Sequence, residues 1–105
     1  MHRRREIQSL AMHRRIAAMM ECDPDAVIGK AVRNLHAWMA SQREPSAVAV
    51  FQEWLDLLER TPPHDIAAFI VSDTERAARM RQSSPFAGVL TPQEVWAIKR
   101  SHEAA

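Results

Sequence analysis

Residues 24–41 read PDAVIGKAVRNLHAWMAS, and this stretch decides the fold class. Its apolar side chains recur at intervals of three and four residues, which is the spacing of one face of an α-helix. They are Ile28, Ala31, Val32, Leu35, Trp38 and Met39. Asp23 and Pro24 stand at its start; an aspartate accepts hydrogen bonds from the free amides of a helix start, and a proline fits the first helical position. The pattern predicts an amphipathic helix that begins near Pro24.

The stretches on either side show the same periodicity. Upstream, we expect a first helix from about Arg4 to Glu21. Downstream, a strong apolar stripe predicts a third helix over roughly 46–60. Pro62 and Pro63 end that helix, because a residue before proline is pushed out of the α region, and Pro63 can open a fourth helix. Whether the fourth helix continues after Val71 or a new one is capped by Ser72 or Asp73 stays open at this point.

Residues 82–90 read QSSPFAGVL and lack helical character, because two serines, a proline and a glycine interrupt them. We expect this segment to be extended, with Phe86 exposed. The following Thr91-Pro92-Gln93-Glu94 is a capping box, which predicts a short last helix. With 105 residues, 47% of them apolar, and two glycines, the chain predicts one all-α domain over 1–105. That domain would be a compact bundle of about five to six short helices with an extended segment before the last helix.

Composition argues against several classes of site. Two isolated glycines cannot form a phosphate-binding loop, and one cysteine with five histidines at unpaired spacings does not form a structural zinc site. We therefore expect no metal and no cofactor. The single cysteine and the lack of a long apolar run favour a cytoplasmic protein without a membrane span. A Cys22–His pair remains the least supported alternative, so we expect the protein not to be an enzyme.

Charge is distributed unevenly, although the formal net charge is only +1. Residues 1–15 carry five arginines against Glu6, whereas residues 44–75 carry seven acids against Arg60. We expect residues 1–5 to form a flexible basic arm. The five arginines of residues 1–15 could contact the phosphates of nucleic acid. No aromatic residue lies among the first 35 residues to stack on bases. The candidate nucleic-acid-binding residues are Arg3, Arg4, Arg5, Arg14 and Arg15.

The stretch 76–90, RAARMRQSSPFAGVL, joins a basic helix end to the predicted extended segment. It has two interpretations. In one, Phe86 and its apolar neighbours tuck back onto the bundle; in the other, they form an arm whose aromatic anchor enters a groove of a partner, and the two are compatible. The candidate partner-binding residues are Arg79, Arg81, Gln82, Ser84, Pro85 and Phe86. The three tryptophans, Trp38, Trp54 and Trp96, lie on apolar stripes, so core packing is expected, with an interface anchor as the alternative for any one.

Three stretches carry a resemblance: RRREIQSLAMHRRIA, FQEWLDLL and DTERAARMRQSSPFAGVLTPQEVWAI. They resemble small, mostly uncharacterised bacterial helical proteins that are associated with toxin-antitoxin-like gene pairs, and the similarity spans most of the chain. The resemblance implies an antitoxin-like protein that binds and neutralises a toxic enzyme encoded by an adjacent gene. The alternative is a nucleic-acid-binding regulator that uses the N-terminal arginine cluster. A homodimer through the apolar stripe of the second or third helix also stays open.

Overall fold

The computed structural model describes residues 3–102, and all regular secondary structure in that range is α-helical. The helices are α1 (Arg3–Cys22), α2 (Pro24–Ser41), α3 (Pro45–Arg60), α4 (Pro63–Ile70), α5 (Glu75–Arg81) and α6 (Pro92–Ser101). The predicted all-α bundle is therefore confirmed, at the upper end of the expected number of helices.

Local chemistry explains where the helices begin. Asp23 accepts a hydrogen bond from the amide of Ala26, and the capping box around Thr91 forms with both of its hydrogen bonds. The question left open after Val71 is also answered, because α4 ends at Ile70 and a separate helix follows. Thr74 caps this helix, its hydroxyl accepting from the amide of Ala77 at 3.1 Å. The sequence pattern had pointed one or two residues too early for this cap.

The core is built around Trp54, which is fully buried. Its indole N–H donates to the carbonyl of Met80 at 3.0 Å, and its ring meets Phe69 and Phe86 edge to face. Helix α1 packs against α2, α4, α5 and α6, and α2 packs against α3. One continuous apolar cluster results, formed by Ile16, Met20, Val27, Ala31, Leu35, Trp54, Leu55, Leu58, Ile66, Ala67, Ile70, Met80, Phe86 and Leu90.

Residues 82–90 are non-helical, as predicted, but they are not extended. The segment turns twice, through hydrogen bonds from the amide of Ser83 to the carbonyl of Met80 and from the amide of Val89 to the carbonyl of Phe86. Gly88 has a φ of +82°, a conformation that favours glycine. Phe86 is 3% exposed, so its predicted exposure is wrong and the interpretation in which it tucks back is confirmed. Burial of an aromatic ring against Trp54 removes a large apolar area from water, which an extended arm would leave exposed.

The N-terminal arm also differs from expectation. The predicted basic arm is helical from residue 3, because Arg3, Arg4 and Arg5 form the first turn of α1, and its positions 1 and 2 lie outside the described residues. The buried side chains of α1 are His13, Ile16 and Met20. No helix within residues 3–102 is long and apolar enough to cross a membrane.

Candidate protein-binding and nucleic-acid-binding surfaces

Most of the residues predicted to form a partner-binding arm are buried or bonded to other parts of the protein. Pro85 is fully buried beside Phe86. Arg81 is half-buried, and its Nη1 donates to the carbonyls of Ile70 and Ser72 at 3.2 and 2.9 Å. These two carbonyls lie at and just after the end of α4, where the helix leaves backbone acceptors without partners. Arg81 therefore closes the end of α4, and a partner could take it only by breaking both bonds.

Ser84 belongs to a buried polar network centred on His13, which is 4% exposed. Nδ1 of His13 lies 2.7 Å from the carbonyl oxygen of Ser9, and a carbonyl can only accept, so we assign the ring proton to Nδ1. Nε2 then accepts the hydroxyl hydrogen of Ser84 at 2.9 Å. This network joins residues 82–90 to α1.

Burial of His13 lowers the pKa of its imidazole, and the nearby positive charge of Arg81 lowers it further, whereas the hydrogen bond to the Ser9 carbonyl opposes the shift. The neutral ring is therefore the form that fits this site. Asn34 attaches the same segment from the side of α2, because its Nδ2 donates to the carbonyls of Pro85 and Ala87, each at 2.9 Å.

Arg79 is exposed but bound to an acid of α3. Its Nη1 and Nη2 donate to the two carboxylate oxygens of Glu53 at 3.1 and 2.9 Å, and Arg76 Nε donates to the same carboxylate at 3.1 Å. These contacts, with the Arg79 hydrogen bonds first, hold the pKa of Glu53 below its ordinary value. Of the six predicted arm residues, Gln82 alone is exposed and without such a contact among the described residues.

The N-terminal arginines behave differently, because all five are exposed. Within residues 3–102, Arg15 pairs with Glu94 at 3.3 Å, and the other four form no ion pair. Eleven residues are just over three helical turns, so Arg3 is aligned with Arg14 and Arg4 with Arg15 along one side of α1. We call Arg3, Arg4, Arg14 and Arg15 the α1 arginine face. Arg5 is turned about 100° further round the helix from Arg4 and lies outside this face.

Helix α6 lies antiparallel beside α1. Gln8 Nε2 donates to the carbonyl of Lys99 at 3.4 Å near one end, and Arg15 pairs with Glu94 near the other. The helix α6 buries no residue completely. Within the described range, Trp96 is the exposed large hydrophobic side chain, at 64%. Lys99 and Arg100, three and four positions later, are exposed as well and are its neighbours on the helix surface. We call Trp96, Lys99 and Arg100 the α6 face.

The three tryptophans thus have three environments. Trp54 is buried, Trp38 is half-buried against Phe51 with ring centroids 5.5 Å apart, and Trp96 is exposed. The expected core packing is wrong for Trp96. The spacing of the sequence could have predicted the exposure of Trp96. Val95 and Ile98 mark the side of α6 that packs on the core, and Trp96 is turned about 100° and 160° away from them.

The least supported alternative, a Cys22–His pair, is not assembled in the described residues. Cys22 is exposed at the end of α1, and no hydrogen bond between it and a histidine occurs within residues 3–102. In the same range, no group of three or more histidine, cysteine or acidic side chains is arranged to hold a metal ion.

Comparison of the chain with protein-family models, with curated proteins and with solved structures found no significant match. The two exposed faces are therefore interpreted from their own geometry and charge.

Proposed function

We propose that the protein is a protein-binding module, an antitoxin-like partner that binds and neutralises a cognate toxic enzyme, and that the α6 face is its contact surface. The supporting observation is the exposure of Trp96, at 64%, in a fold that buries Trp54 completely. Leaving so large an apolar ring in water costs free energy that binding to a partner would recover. Tryptophan and arginine are also the residues most enriched at the energetic centres of protein interfaces.

The chemistry of the α6 face describes the partner. Trp96 would enter an apolar pocket, and Lys99 and Arg100 would meet acidic side chains at the rim of that pocket, because complementary charge speeds encounter and rejects wrong partners. The resemblance to proteins of toxin-antitoxin-like gene pairs supports a toxic enzyme encoded by an adjacent gene as the owner of this pocket. This proposal replaces the arm around residues 79–86, whose apolar anchor lies in the core.

The test is the affinity of the purified protein for the product of the adjacent gene, measured by titration calorimetry after nuclease treatment. Truncating a central interface tryptophan costs about 2 kcal/mol or more, so Trp96→Ala should raise Kd by roughly 30-fold or more. Thermal unfolding of the variant should be nearly unchanged, because the ring is mostly outside the core.

Gln93→Ala is the matched control, since Gln93 is exposed on the same helix, and its Kd should stay within about a factor of two. Equal Kd values for Trp96→Ala and the unaltered protein would remove the α6 face from the interface. Absence of a complex with the adjacent gene's product would count against the antitoxin-like role itself.

A further inference from the structure

We propose that the α1 arginine face binds the phosphate backbone of double-stranded nucleic acid, without reading its sequence. This is a second activity, on a different helix from the α6 face, and it does not depend on the proposed protein partner.

The first argument comes from how the fold treats its arginines. The second basic cluster, Arg76, Arg79 and Arg81, is engaged within the molecule, because Arg76 and Arg79 share the carboxylate of Glu53 and Arg81 donates to two backbone carbonyls. On the α1 arginine face, only Arg15 has an acidic partner within the described residues. Three exposed guanidinium groups, those of Arg3, Arg4 and Arg14, therefore remain available to an external anion. Sequence alone makes the two clusters look alike.

The second argument is the position of these charges on the helix. Arg3, Arg4 and Arg5 lie in the first turn of α1, at the positive end of the helix dipole, where cations are unfavourable. Glu6 is the acid of that turn. A polyanion bound there would relieve the repulsion, so binding should stabilise the start of α1.

The third argument is that the α1 arginine face suits nucleic acid better than an acidic protein. Between its arginines, this side of α1 presents the small side chains of Ala11 and Ala18 and the half-buried Ile7, whereas Ile16 and Met20 are buried on the opposite side of the helix. A protein interface has a desolvated apolar centre, and the half-buried Ile7 exposes too little apolar surface between the arginines to form one. A line of cations on a convex helix suits a phosphate backbone. The rows from Arg3 to Arg14 and from Arg4 to Arg15 each span about 16 Å at 1.5 Å per residue, enough for several phosphates of a duplex.

The experiment measures fluorescence anisotropy of a fluorescein-labelled 20-base-pair DNA duplex of mixed sequence, titrated with the full chain between 25 and 200 mM NaCl. If Arg3, Arg4 and Arg14 each contact a phosphate, the slope of log K against log salt should be about −2.7, at about −0.9 for each contact, and Arg15 would add to it only by leaving Glu94. The variant Arg3→Gln, Arg4→Gln, Arg14→Gln should have a slope shallower by about 2.7. Replacing the same three residues with lysine should keep most of the slope, since the charge is retained.

The matched control is Arg33→Gln, Arg43→Gln, Arg60→Gln, which removes the same charge from exposed positions on α2, α3 and the loop between them, and it should keep the wild-type slope. Equal slopes for both glutamine variants, or no binding at 25 mM NaCl, would overturn the proposal. So would displacement of the duplex by poly-L-glutamate at an equal concentration of charge. Trp96→Ala should bind the duplex like the unaltered protein, because Trp96 lies outside the α1 arginine face. The tests for nucleic-acid binding and for the protein partner can therefore fail independently.

Discussion

Phe86→Ala should lower the free energy of unfolding by about 3–5 kcal/mol, the usual cost of truncating a buried phenylalanine to alanine. The ring is 3% exposed, meets Trp54 with centroids 5.7 Å apart and meets the His13 ring at 6.1 Å. Its removal would leave a cavity where α1, α3 and residues 82–90 meet, and the loss is large compared with the total stability of a small domain. Urea unfolding followed by circular dichroism at 222 nm measures the change.

Gln82→Ala is the control for this variant, because Gln82 is an exposed residue of the same segment and its substitution should change stability by less than about 0.5 kcal/mol. This measurement distinguishes Phe86 as a core residue from Phe86 as an interface anchor. A Phe86→Ala protein as stable as the unaltered one, with weakened binding of the partner, would mean that Phe86 serves the interface and not the core.

The second large effect is a loss of stability on mild acidification, which we expect protonation of His13 to cause. Burial depresses the pKa of His13 below its ordinary 6.5, so the folded state holds fewer protons on this residue than the unfolded state does. The contribution of the neutral His13 ring to the free energy of unfolding is therefore fully present above pH 6.5. It is lost as the pH falls from 6.5 toward the depressed pKa of the folded state. Protonation would place a positive charge among the Phe86 ring, Ser84 and the cation of Arg81, with no acid in hydrogen-bond contact to compensate.

Urea midpoints between pH 7.5 and 5.5 test this expectation, with His13→Gln as the variant. A glutamine side chain has both a donor and an acceptor but does not titrate, so its midpoint should change much less with pH. His36→Gln, at an exposed position without an ion pair in the described residues, should keep the wild-type dependence. An unaltered pH dependence in His13→Gln would show that another group carries the acid effect.

Two acids act in a separate pH window. The pKa of Glu53 is lowered, first by the hydrogen bond from Arg79, and that of Glu94 is lowered, first by the backbone amide of Thr91. Their contributions are present above the ordinary value of 4.5 and are lost only as the pH falls through their lower folded-state values. Both side chains are partly exposed, Glu53 at 30% and Glu94 at 31%, and solvent screens such pairs, so the effect above pH 5.5 should come from His13.

Sequence predicted the helices well because helix formation is decided among residues three or four positions apart. The stripe of α2, the proline breaks and the capping box at Thr91 each act within that distance, and all three appear in the structure. The exposure of Trp96 also follows from local spacing, once Val95 and Ile98 define the inner side of α6.

Sequence by itself therefore determined an all-α chain, most of the starts and ends of its helices and the presence of two basic clusters, whereas the break between α4 and α5 stayed open. Tertiary structure alone decided which basic cluster keeps unpaired guanidinium groups within the described residues and that Phe86 is buried. Arg79 meets Glu53 across 26 positions, His13 meets Ser84 across 71, and Arg15 meets Glu94 across 79. Local periodicity holds no information about such pairs, because they form only when packing of α1 against the other helices brings distant segments together. The physical reason is that burial and neutralisation of a side chain depend on what lies opposite it in space.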